Sequence, residues 1–77
     1  MEDEGLFQIR RYHIICEKKD EKGRIYDVRF KTKYPSRAIF PCKKKMSDFK
    51  KQELEKAKQK YPDQKVKAID VDYINIW

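Results

Sequence analysis

Between Tyr26 and Tyr34 the chain alternates strictly. Tyr26, Val28, Phe30, Thr32 and Tyr34 share one parity, and Asp27, Arg29, Lys31 and Lys33 share the other. A period of two over nine residues predicts a half-buried β-strand, because successive side chains point to opposite faces. On that reading Tyr26, Phe30 and Tyr34 are core, and Arg29, Lys31 and Lys33 project together into solvent. Were the inner face uncovered, the same rings could stack on unpaired bases. The helix predicted below needs that face for docking, so core is the expectation.

Upstream, Leu6 to Glu17 is also strand-like, but its phase breaks. Phe7 and Ile9 lie on one parity, and Tyr12, Ile14 and Cys16 on the other. One extra residue at Arg10-Arg11 would restore a continuous apolar face, which predicts a β-bulge there. Lys18 to Gly23 is polar and ends in Gly, as a hairpin loop requires. Pro35-Ser36 turns the chain into a short strand over 37–42, with Ala38, Phe40 and Cys42 on one side. Pro41 cannot donate to a ladder and places this strand at an edge or near its own end.

Ser47 is the expected N-cap of a helix, with Asp48 facing the positive end of its dipole. The helix runs to about Tyr61 and stops before Pro62. Its apolar stripe is narrow (Met46 or Phe49, then Leu54, Ala57 and Tyr61), as in a helix laid on a sheet and otherwise solvated. The last strand spans 65–77. Ile69, Val71 and Tyr73 alternate with Asp70 and Asp72, whereas Ile74 and Ile76 fall on the aspartates' parity. Either a bulge twists this strand, or both of its faces are covered near its end, the second of which needs another chain.

The order β-β-β-α-β predicts an α+β domain, a mostly antiparallel sheet with one helix packed on one face. If the fourth strand runs parallel to the third, their crossover should be right-handed. One domain over residues 1–77, with 1–5 as a disordered arm, is the expectation. At 77 residues a two-domain enzyme or a doubly wound nucleotide-binding sheet is excluded. No window approaches the ~20 apolar residues of a membrane span. The acidic first residues lack the apolar stretch of a secretory signal, so the expected compartment is the cytoplasm, with no membrane partner.

Twenty Lys and Arg against thirteen Asp and Glu leave a net charge of +7. Residues 24–45 carry eight basic side chains and only Asp27 as an acid, so the surplus is local along the chain. Arg29, Lys31, Lys33 and Arg37 lead into Lys43, Lys44 and Lys45. These lysines precede the expected helix start and, with Lys50 and Lys51, form a candidate anion-binding corner. Such a surface suits the phosphate backbone of DNA or RNA, and the competing readings are an acidic partner protein and a merely solvated face. Fifteen of the twenty cations are Lys. Lys lacks the bidentate fork of Arg, so non-specific backbone contact is the expectation, without base readout.

Catalytic chemistry is thinly represented. His13 is the only imidazole, and on a regular strand it lies on the face opposite Cys16, which argues against a dyad. Cys16 and Cys42 with one His cannot furnish the four ligands of a structural zinc site and are expected as free thiols. Asp70 and Asp72 could hold a divalent cation, which makes a metal-dependent nuclease a distant third reading, but pairing with Arg29 or Lys31 is the expected use. Glycines stand only at Gly5 and Gly23, so no phosphate loop exists. The expected protein is a non-enzymatic binding module without a cofactor. Its rival is a protein–protein adaptor or inhibitor, of the kind phage and mobile-element genes encode. That protein would use Ile74, Ile76 and Trp77 as anchors for a partner or a second copy.

Overall fold

β1 (Glu4–Lys19) is the longest element and the hub of the sheet. The computed structural model describes residues 4–76. β2 (Ile25–Lys33), β3 (Ile39–Cys42) and β4 (Val66–Asn75) complete one four-stranded sheet, and α1 (Lys43–Lys60) lies between β3 and β4 in the chain. Among the described residues the three shorter strands each pair antiparallel with β1 and with no other strand. β2 and β3 share one edge of β1, meeting Tyr12–Lys19 and Glu4–Gln8 respectively, while β4 runs along the other edge from Phe7 to Cys16. This is the expected α+β domain of order β-β-β-α-β. β3 and β4 point the same way, with β1 between them and α1 connecting them.

The bulge expected in β1 is present. Ile9 pairs with Tyr73 and Arg11 with Asp72, so Arg10 is the extra residue. It puts Phe7, Ile9, Tyr12, Ile14 and Cys16 on one face, all buried. Against them pack Met46, Phe49, Leu54 and Ala57 of α1, Tyr61 just after it, and Val66, Ile69 and Val71 of β4. Tyr12 bridges the layers: its ring lies edge-on to Phe49 and its hydroxyl donates to Glu53 at 2.8 Å. The loop between β1 and β2 closes as its Gly predicts. Asp20 accepts from the backbone N–H groups of Lys22 and Arg24, and Gly23 takes φ 82.

Several expectations fail, each for a local reason. β2 carries a bulge of its own, because Ile14 pairs with Lys31 but Ile15 with Arg29, leaving Phe30 unmatched. The alternation of Tyr26–Tyr34 therefore does not survive in space. Phe30 is half-buried and packs edge-on to Tyr61 at 4.9 Å, but Tyr26 is 47% and Tyr34 72% exposed, so neither is core. The helix begins four residues earlier than Ser47, directly from the extended Cys42, whose side chain makes no capping bond. The earlier start brings Met46 into the helix, where it buries against Phe7 and Ile9. Lys43, Lys44 and Lys45 are thus the first helical turn. Arg37 lies in a turn at φ 57, outside β3.

At the two ends of the chain, Glu4 and Gly5 belong to β1 and not to a disordered arm; residues 1–3 lie outside the described residues. The phase conflict in the last strand resolves without a bulge between Tyr73 and Ile74. Tyr73 continues the helix-side parity, and Ile74 pairs with Gln8 on the opposite, uncovered face. Trp77 lies outside the described residues.

Candidate nucleic-acid interface

The β2 bulge decides where the basic residues go. Directly opposed residues of an antiparallel pair share a face. Lys31 stands opposite Ile14 and Lys33 opposite Tyr12, both of which face the helix, whereas Arg29 stands opposite Ile15 on the uncovered face. The expected row of Arg29, Lys31 and Lys33 is therefore split between two sides of the sheet. Lys31 reaches over the rings of Tyr61 and Phe30, at 5.2 and 5.8 Å, and Lys60 approaches Tyr61 from the helix at 5.6 Å. Burial raises the Tyr61 phenol's pKa, but Lys31, Lys60 and Lys33 together outweigh it and leave it below its ordinary value.

The helix supplies the rest. α1 holds eight lysines against Asp48, Glu53 and Glu55, and Lys31 and Lys33 on its β2 flank bring the surplus of this layer to +7, the net charge of the whole chain. Only Lys56 of these ten cations forms an ion pair among the described residues, with Glu53 at 3.2 Å. Lys50 and Lys51 line a groove with Ser47, Leu54 and Lys67 on the β4 side, and Lys45 lies beside Phe40 and Asp48 on the β3 side. Seven of the nine expected contact residues thus belong to the helix layer. Arg29 and Arg37 do not. The signal that would have found Lys56, Lys58 and Lys60 is the lysine spacing of the helix itself.

The uncovered face is different in kind. On it Arg11 donates to Asp72, Lys67 lies 3.0 Å from Asp27, and Lys65 lies 2.6 Å from Glu17, while Arg29 and Asp70 form no ion pair among the described residues. Arg11 holds the Asp72 carboxyl below the usual carboxylate range, and Asp72 in turn raises the Arg11 pKa. At one end of this face Leu6, Ile39, Ile74 and Ile76 are each about two-fifths exposed, and Gln8 pairs with both Ile39 and Ile74. Where β2 ends and β3 has not begun, the β1 bulge opens a pocket of 430 Å³. Its lining is Arg10, Arg11, Tyr34, Asp72, Tyr73 and Ile74. Sequence reasoning placed the bulge but assigned Arg10 no role.

His13 is buried. Its Nδ1 lies 2.8 Å from the Thr32 hydroxyl, and Nε2 is 3.8 Å from Asp72 and has no hydrogen-bond partner. Burial pushes the Cys16 thiol up and away from nucleophilic character. Asp72 is engaged by Arg11, and among the described residues no three His, Cys, Asp or Glu side chains are grouped as a metal site requires. Compared with protein families, curated proteins and solved structures, the chain matches none.

Proposed function

We propose that this chain is a non-enzymatic binding module whose helix layer engages the phosphate backbone of nucleic acid. One observation carries the reading: the net charge of +7 resides in α1 with Lys31 and Lys33, and nine of those ten lysines have no carboxylate partner among the described residues. A surface kept only for solubility gains nothing from concentrating nine unpaired lysines on one layer, whereas a polyanion gains counterion release from each lysine it meets. The lysines flank the helix on both sides, and Gln52, Gln59, Asp48 and Glu55 interrupt them. That composition suits phosphates met without reference to sequence.

The test is a salt series on a DNA or RNA column and in solution. Retention at ~50 mM salt should fall log-linearly, and replacing Lys44, Lys51 and Lys58 together by Ala should reduce the slope by about two to three. These positions are exposed and Ala is the best helix former, so the fold is kept. No retention at ~50 mM salt ends the proposal.

A second reading, an adaptor that docks on a partner protein, draws on the exposed Leu6, Ile39, Ile74 and Ile76. Four neighbouring aliphatics on one face resemble the core of an interface more than a solvated sheet. Under this reading Leu6→Gln with Ile39→Gln abolishes self-association or partner capture and leaves nucleic-acid retention intact. Unchanged sedimentation and capture would discard it.

A further inference from the structure

We propose that the pocket at the β1 bulge takes a single nucleotide of an unpaired strand, with its base against Tyr34 and its phosphate on the Arg10–Arg11 pair. The inference rests on the nucleic-acid reading above and names the form of nucleic acid: single-stranded, with accessible base faces.

The pocket follows from topology. β2 pairs with β1 only as far back as Tyr12, and β3 only as far forward as Gln8, so between them this edge of β1 carries no strand ladder. The bulge falls in that gap, and a bulge re-aims side chains out of the pleat. Arg10 is thereby exposed, with no ion-pair partner among the described residues. Arg11 is held differently: Asp72 engages its Nε, so the guanidinium is oriented before any ligand arrives. Because Asp72 is matched by Arg11, the pair of arginines leaves one uncompensated positive charge facing the pocket.

The rest of the lining selects the ligand. Tyr34 presents a ring that is 72% exposed, whereas the Tyr73 ring turns to the helix side against Phe7 at 5.9 Å. Inorganic phosphate has no use for an exposed aromatic ring and Ile74, and an apolar ligand has no use for two arginines. A planar ring joined to a phosphate uses both, and 430 Å³ lies within the ~300–1,000 Å³ of small-molecule pockets. In a duplex the base faces are stacked on one another, so only an unpaired base can enter. Lys33, which precedes Tyr34, lies beside Tyr61 on the helix side, so the end of β2 joins the lysine layer to the pocket.

Titration of the folded chain with adenosine monophosphate, followed by amide chemical shifts, tests this. Adenosine monophosphate should move the signals of residues 10–12, 34 and 72–74, at lower concentration than either inorganic phosphate or adenosine. Tyr34→Ala should weaken that binding about 5- to 100-fold, while Tyr34→Phe, which keeps the ring, should preserve it. Arg10→Ala should weaken the nucleotide and leave adenosine unchanged. Shifts confined to the helix lysines, or Tyr34→Ala binding as tightly as the parent, would overturn the pocket. Salt-dependent retention of duplex by the Tyr34→Ala variant scores the lysine layer separately, so either reading can fail without the other.

Discussion

Tyr12 is the side chain on which both layers converge. It is buried in the sheet face, its ring meets Phe49, and its hydroxyl donates to Glu53 of the helix. Burial, followed by the bond to Glu53, pushes its phenol pKa up to about 12. A group whose folded pKa is raised stabilises the fold below its unfolded pKa, here 10.0, and loses that contribution as pH rises through the folded value. Chemical denaturation should therefore show stability falling between about pH 10 and pH 12, where this phenol ionises. Tyr12→Phe should cost about 1–2 kcal/mol at neutral pH and remove that alkaline limb. A Phe variant that retains the limb would assign it to another group. Asp72 works in the opposite direction: Arg11 depresses its pKa, so its contribution is present at neutral pH and is lost on acidification through the carboxylate range.

At the scale of elements, α1 is built against its own electrostatics. Its first turn is Lys43-Lys44-Lys45 with no acidic residue, and its N-cap supplies no side-chain bond. Each cation there opposes the dipole by about 0.3–1 kcal/mol. Lys44→Glu should therefore raise the thermal midpoint and at the same time weaken polyanion binding. A variant that lost both stability and binding would mean that Lys44 is a structural residue. This conflict is also why the helix start was illegible in the sequence. Local rules favoured Ser47-Asp48 as the cap, and what overruled them was burial of Met46 against Phe7 and Ile9, a contact more than thirty-five residues distant in the chain. The β1 bulge was legible because it breaks an apolar parity within one segment. The β2 bulge was not, since the register that creates it belongs to the pairing with β1, and the sequence of β2 alternates without a flaw. The same hidden bulge moved Arg29 away from Lys31 and Lys33 and freed Tyr34, so the basic composition of the site was legible and its layout was not.

Taken whole, the molecule is a lysine-rich layer backed by one that carries most of the ion pairs. The helix layer repels itself, and the ion pairs Arg11–Asp72, Lys67–Asp27 and Lys65–Glu17 on or beside the uncovered face largely cancel. Added salt should thus have opposite effects on the two measurable properties. Between ~0.05 and ~0.5 M the fold should gain stability as lysine repulsion is screened, and retention on nucleic acid should fall over the same interval. Denaturant midpoints that decline with salt would place the dominant electrostatics in the surface pairs instead.

β1 precedes all three of the strands that hydrogen-bond to it, and β4, which covers one edge from Phe7 to Cys16, is the last of them. During translation the central ribbon therefore leaves the ribosome first and cannot be closed on that side until Val66–Asn75 has been made. Until then its unpaired amides and apolar flank are open to other nascent chains. Completion of β4 is the step that closes this edge of β1.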